Sequence, residues 1–483
     1  MQWWLDLMPL QSSPESIAES SAEMGAQAGI GSASKAIQLA YRGQRHELPS
    51  AQHSAAATAI APDPDLVMLL RPRKSRIYFL RRFFDYPIRL TADTLLNLGL
   101  FRTFRAGLSY LRAAIFPRKD EKTLEDFLVN RFGRQLYRLF FESYTEKVWG
   151  VPCSQISAEW GAQRIKGLSL TGVILHFLKK TFSTASNGNA PSGAIAQKQT
   201  ETSLIEQFLY PKLGPGQLWE HVADLVQQSG GELHPGLQVD RLVVAGNRIA
   251  AVEASGADGR RHTFPADYVF STMPVQELIR ALSVPAPPEV REVSEGLVYR
   301  DFITVGLLAS RLAVHEKDGS PLKDNWIYIQ EPDVQVGRLQ IFNNWSPAMV
   351  ADPAQVWIGL EYFCYQTDPI WKMSDQEMIA LASEEIARIG ILHASDILDA
   401  HVVRVPKTYP AYFGTYDRFD QIRNYTDTIE NLFLIGRNGM HKYNNQDHSM
   451  LTAMTAVDNI ERGIADKSNL WNINTEMEYN EEK

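Results

Sequence analysis

The chain has two cysteines in 483 residues, Cys153 and Cys364. Two thiols make neither a disulfide framework nor a cysteine-based metal cluster, and buried free thiols are their expected state. That usage fits a reducing, cytoplasmic setting. None of the 11 histidines stands in an H-E-x-x-H or other zinc spacing. A G-x-S-x-G nucleophile elbow is missing, so serine hydrolase chemistry has no anchor. No apolar run reaches the roughly 18 to 20 residues that a membrane-spanning helix needs. Met1 to Asp6 show no basic stretch and no long apolar core, which argues against a secretory signal. Positive charge is in short supply: 48 Lys and Arg face 56 Asp and Glu, a net charge of −8. This argues against nucleic acid or an anionic membrane as the main partner, although a locally basic patch escapes such a sum.

What remains is ordinary for a globular protein, at 45% hydrophobic and 22% charged residues. The length suits two domains, one of them discontinuous in sequence. Residues 1–64 are rich in Ala, Ser, Gln and Gly and are expected to be poorly ordered. They hold a partial glycine fingerprint, Gly29-Ile30-Gly31-Ser32-Ala33-Ser34, followed by the helix-compatible Lys35 to Ala40. A dinucleotide fingerprint needs a strand in front of the glycines, and Ser20 to Ala28 is not one, so the match reads as chance.

Residues 66–182 read as a mainly helical, substrate-side region. Leu70 to Pro87 suggests a short hairpin, whose cations serve either a solvated face or an anionic ligand. Helices are expected from Ala92 to about Phe116 and from Thr123 to Tyr144, the second opened by the capping-box pattern Thr123-x-x-Asp126. Residues 183–202 read as a flexible insertion. A further region, 203–280, places a helix over Leu218–Gln228, strands over Leu237–Val244, Ile249–Val252 and Tyr268–Thr272, and a turn at Gly246-Asn247. Residues 281–400 are strand-rich, with an amphipathic helix from Ser374 to Ile391. Residues 401–465 return to the same domain as 203–280, and 466–483 read as a disordered acidic tail.

The most informative stretch is Asn431 to Gly463. Leu432-Phe433-Leu434-Ile435 reads as a strand covered on both faces. It breaks at Gly436-Arg437-Asn438-Gly439, where glycine permits a sharp turn and a close approach to a ligand. A helix follows, with Met450, Leu451, Met454, Val457 and Ile460 at apolar helical spacing. Strand, glycine turn and helix N-terminus can together hold a phosphate, although an ordinary strand-to-helix crossover has the same pattern. His441 and His448 flank this loop and read as loop or capping residues.

Gly436-Arg437-Asn438-Gly439, Tyr443 and Asp447 resemble the C-terminal flavin-binding segment of UDP-galactopyranose mutases and of the wider amine oxidase and protoporphyrinogen oxidase group. Tyr144-Thr145-Glu146-Lys147-Val148-Trp149-Gly150, with Trp160 and Arg164 behind it, resembles the mutase segment Y-T-x-K-x-W-G. The resemblance covers residues 66 to 464 patchily. It implies an α/β, Rossmann-like FAD domain, incomplete at its N-terminus, plus an α+β substrate domain. FAD would be held by Val239, Thr272, Pro274, Gly436, Arg437, Asp447 and Met450. Tyr144, Trp149, Arg164 and Arg437 would carry the chemistry, and Tyr409 and Tyr443 would meet a small-molecule substrate. Three readings follow from it: hydride transfer from substrate to flavin, a mutase-like isomerisation of a sugar nucleotide, or a chain inactive alone until a partner chain supplies the glycine-rich unit.

Overall fold

The computed structural model describes residues 2–11, 37–41, 44–48, 63–86, 92–158 and 207–473. Trp160, Arg164, the glycine pattern Gly29–Ser34 and the segment 183–202 lie outside the described residues.

Two strand pairs, β1 (Ile37–Tyr41) with β2 (Gln44–Leu48) and β3 (Met68–Pro72) with β6 (Gln207–Pro211), stand apart from the largest element, a seven-stranded sheet built from β4 (Ser75–Phe79), β5 (Arg82–Asp85), β11 (Leu297–Ala309), β12 (Trp326–Ile329), β13 (Arg338–Ile341), β14 (Val356–Cys364) and β15 (Ile397–Gly414). Its order is β15-β11-β14-β13-β12-β4-β5, antiparallel throughout except where β12 runs parallel to β4. Alternation along β11 puts Ile303, Val305 and Leu307 on one face, fully buried. A helix from Asp375 to Arg388 covers that face with Met378, Ala382 and Ile386, four residues apart and therefore on one side. It starts where Ser374 and Glu377 form a reciprocal capping box.

Helices α1 (Gln2–Leu7), α2 (Ala92–Leu98), α3 (Leu100–Ile115), α4 (Leu124–Tyr137) and α5 (Ser143–Trp149) come from the first part of the chain. The helical segment expected over 92–116 is broken by Gly99 at φ 81°. The expected Thr123–Asp126 capping box opens α4, whose Leu124, Phe127, Leu128 and Phe132 fill a separate core. Gly133, at φ 75°, ends the regular part of α4, and a Cβ there would sit 2.7 Å from the Ser109 backbone of α3.

The third region joins β7 (Leu237–Ala245), β8 (Arg248–Gly256) and β9 (Arg261–Pro265) as an antiparallel meander beside a parallel pair, β10 (Val269–Ser271) and β16 (Leu432–Leu434). Leu242, Ile249, Val275, Leu278, Leu432 and Leu434 share its core. Among the described residues these two strands are the whole parallel α/β component here. No helix among the described residues is long and apolar enough to cross a membrane. Both cysteines are buried and free, as expected, and burial pushes their thiols up to about 11 (Cys153) and about 12 (Cys364).

Two local expectations are corrected. Ile37–Tyr41 is not helical but pairs antiparallel with Gln44–Leu48 as a hairpin. The helix after the glycine turn, α6 (Gln446–Glu461), does not bury the stripe read from its sequence. Met454 and Val457 are exposed, while His448, Thr452, Ala456 and Asn459 face inward. The reason is local: the Thr452 hydroxyl accepts the Gly436 N–H at 3.2 Å, and Asn459 exchanges amide bonds with Asn469 at 2.8 and 2.9 Å. Close packing on the glycine turn selects small and polar groups over bulk.

Candidate functional site

The glycine turn Gly436–Gly439 is one helical turn between β16 and the loop leading to α6. Gly436 has φ 73°, a conformation that favours glycine. A Cβ on Gly439 would collide with the carbonyl oxygen of Ser271 and lie 3.2 Å from Thr272 Cα. The close approach is therefore made by the end of β10, so that Thr272 packs directly on the turn. Pro274 follows as the residue before the helix Val275–Ala281. Val239 lies further off, half-buried in β7 against the shared core.

Arg437 ties this turn to the rest of the site. Its Nε and Nη2 donate to the Asn444 carbonyl at 3.1 and 2.7 Å, and its Nη1 donates to the Thr408 carbonyl at 3.2 Å. The guanidinium lies 5.0 Å from the Tyr443 ring centre and 5.4 Å from that of Tyr409. Tyr409 and Tyr443 stack at 5.3 Å, and Trp149 stands 6.2 Å from Tyr443. Trp149 is a buried wall, its backbone carbonyl accepting the Tyr365 hydroxyl at 2.7 Å. Tyr144 packs edge-on against Tyr328 at 5.6 Å. Burial pushes the Tyr409 phenol up to about 12 and holds that of Tyr144 well above its ordinary range, so both are neutral donors near pH 7. Thus Tyr144, Trp149, Tyr409, Tyr443 and Arg437, drawn from three separate stretches of sequence, come together in one region.

Two charged members were missed. Arg338 of β13 faces Glu361 of β14 in register, and the two form an ion pair. Gln340 Nε2 donates to the second carboxylate oxygen at 2.7 Å. Burial opposes charge on Arg338, yet Glu361 holds its guanidinium protonated well above the ordinary value; Tyr409 and Tyr144 feel both charges. The signal was present in the sequence, since Glu361 stands alone in the apolar run Val356–Tyr362. Lys147, a motif residue, serves a different purpose. Its ammonium donates to the carbonyls of Ile329, Glu331 and Val336 at 3.0–3.2 Å, and burial pulls it down to about 8.

Beside the cluster is a cavity of about 450 Å³, lined by Trp4, Arg73, Phe208, Tyr210, Trp326, Trp345, Asn445 and Gln446 among others. Trp326 and Trp345 stack at 5.6 Å, and Arg73 lies 5.1 Å from the Trp326 ring centre. Asn445 precedes α6 without a side-chain capping bond, so the helix N-terminus opens onto this space. Two buried donors, Trp326 Nε1 and Asn444 Nδ2, have no hydrogen-bond partner. Flat apolar walls, a cation, orphan donors and a helix N-terminus suit a planar ring system carrying phosphate. Met450 borders it by accepting the Trp4 indole N–H at 3.1 Å, and Asp447 contacts His448 at 2.9 Å. His441 is a core residue: fully buried, against Tyr299 and Phe419, with Nε2 3.1 Å from the Ala411 carbonyl. Among the described residues no group of His, Cys, Asp and Glu can hold a metal ion.

The arrangement, a small α/β part carrying the glycine turn and a large sheet with helices facing it, is that of a known class of mutase and oxidase structures. The crystal structure of a reduced UDP-galactopyranose mutase matches with a TM-score of 0.66, covering 83% of this chain and 81% of that one at 18% identity. A protein assigned as a protoporphyrinogen oxidase from Exiguobacterium sp. 255-15 matches at 0.52, covering 77% of each chain at 14% identity. No protein-family model matches the chain. At the level of fold, the resemblance read from residues 144–150 and 436–447 is borne out.

Proposed function

We propose that the chain is a flavin-dependent enzyme acting on a small anionic substrate, with a sugar nucleotide as the substrate class. The carrying observation is the junction of the aromatic cavity with the Arg338–Arg437–tyrosine cluster. FAD fits the first: Trp326 Nε1 and the α6 N-terminus offer unmatched donors beside flat ring faces. In this reading Gly436, Thr272, Met450 and Asp447, with Pro274 and Val239, are the residues that would hold it. Bound there, the flavin supplies either a nucleophilic reduced ring or a hydride acceptor.

The protein's own residues select the partner. Arg338 and Arg437 outnumber the one acid, Glu361, so a phosphate or diphosphate is favoured and a cationic amine is disfavoured. The hydroxyls of Tyr144, Tyr409 and Tyr443 donate hydrogen bonds to such an anion and orient it, and Trp149 closes the wall. Arg164 belongs to the same proposal as a further anion contact. The fold is shared with a UDP-galactopyranose mutase and with an oxidase, so the preference for an anionic substrate rests on the arginines and tyrosines.

The test is reconstitution of the purified full chain with FAD, followed by titration with uridine diphosphate and UDP-galactopyranose. Stoichiometric flavin absorption that shifts saturably with the nucleotide supports the proposal. Flavin that ignores nucleotides but is bleached anaerobically by an amine or a porphyrinogen favours the hydride-transfer reading. A protein that FAD neither colours nor stabilises overturns both.

A further inference from the structure

Helix α3 is mounted with its apolar side outward. Phe101, Phe104, Leu108, Leu111 and Ile115 recur at spacings of three and four, so they form one stripe. Each is 53–73% exposed, and Leu96 and Phe116 extend the stripe at 70% and 76%. The side that packs on α4 is the small one, with Ala106 and Ala113 buried. This orientation is enforced rather than loose. A Cβ at Gly133 would strike the Ser109 backbone, and the Gln135 N–H donates to the Ser109 hydroxyl at 3.1 Å. Contact this close is possible only with small residues on the inner side, which leaves the phenylalanines and leucines facing out.

Charge says what covers them. Between Thr94 and Lys119 the sequence has five cations, Arg102, Arg105, Arg112, Arg118 and Lys119, and no acid. Arg105 and Arg112 border the stripe on one flank and Arg102 lies just beyond, all three exposed; Arg105 reaches over the Phe101 ring at 5.6 Å. Arg118 is held by Asp126 and Glu125 and is not counted. A chain of net charge −8 thus places unpaired arginines beside an exposed apolar row. A second copy laid isologously on the stripe would bring this arginine flank near its own image. An anionic lipid surface instead meets both features, with acyl chains taking the stripe and headgroups the arginines.

We infer that α3 is an interfacial membrane-docking helix, lying flat over about 24 Å of an anionic bilayer. It anchors the protein to the surface without crossing it. The inference is independent of the proposed chemistry.

The full chain is sedimented with phosphatidylcholine vesicles, with or without about one quarter phosphatidylglycerol, at low and high salt. Wild type is expected to pellet with the anionic vesicles, less with neutral ones and less at high salt. The triple variant Phe101→Ser/Phe104→Ser/Leu108→Ser is expected to lose at least about tenfold in partitioning. Arg102→Gln/Arg105→Gln/Arg112→Gln is expected to lose the dependence on anionic lipid. All substituted positions are exposed, and unchanged thermal unfolding confirms that both variants remain folded. Wild type that stays in the supernatant with every vesicle overturns the inference, as does equal binding by the serine variant. A dimer that the serine variant splits, without vesicle binding by wild type, assigns the stripe to a second copy instead.

Discussion

Arg338 and Glu361 sit opposite one another on adjacent antiparallel strands, and Tyr144 and Tyr409 both lie within range of their charges. One cross-strand register therefore joins the two aromatic arms of the site. Glu361 is buried and Arg338 mostly so, hence removing one partner strands the other charge. Arg338→Met is expected to cost about 3 kcal/mol in denaturant unfolding, and Arg338→Met/Glu361→Gln to recover much of it. A strictly additive double variant would show that the pair is not coupled.

The glycine turn tolerates no side chain at its second glycine. Gly439→Ala forces the β10 end away from β16, because the new carbon meets the Ser271 carbonyl. The expected loss is about 2–4 kcal/mol, with weaker flavin retention. Gly436→Ala meets open van der Waals space and pays for its positive φ alone, about 1 kcal/mol. Thermal melts of the two variants check the ranking.

His441 makes the fold acid-sensitive. Burial pulls its pKa from 6.5 to about 4, while the Ala411 carbonyl opposes the shift. Below 6.5 the unfolded chain takes up a proton that the folded protein refuses until about pH 4. Stability is thus present above 6.5 and lost as pH falls through this window, by about 3 kcal/mol from this residue. His441→Phe, among Tyr299, Tyr416 and Phe419, should flatten the slope of stability between those pH values.

Lys147 anchors α5 to the sheet through three carbonyls. Lys147→Met keeps the chain's bulk but leaves those acceptors without their donor, at an expected cost of about 2–3 kcal/mol. Because Tyr144 and Trp149 lie on the same helix, ligand affinity should fall with stability, and unfolding read beside nucleotide titration checks both.

Tyr443→Phe removes a hydroxyl and retains the ring stacked on Tyr409. Stability should change little, whereas affinity for an anionic substrate should fall about tenfold, one charge-assisted hydrogen bond. Unchanged affinity would remove Tyr443 from the substrate contacts.

Much of this was legible because it is local. Thr123 with Asp126, Ser374 with Glu377, and the strand Leu432–Leu434 before Gly436 declare themselves within a few residues, as capping and turn chemistry require. The Arg338–Glu361 pair was not legible, because register between β13 and β14 is set by sheet packing rather than by either strand. The inward side of α6 was misread for a related reason. Apolar periodicity marks a stripe but does not say which side packs, and the glycine turn demanded Thr452 over Met454.

The sequence by itself determined many of the elements and several of their caps, and it singled out Tyr144, Trp149, Tyr409, Arg437 and Tyr443, because propensities, caps and short motifs act over a few positions. Tertiary structure decided what those elements present to one another and to the outside. It turned Gly439 toward Ser271, joined Arg338 to Glu361, and faced the bulky side of α3 outward. Such choices depend on how closely two backbones can approach, which side chains far apart in sequence settle together.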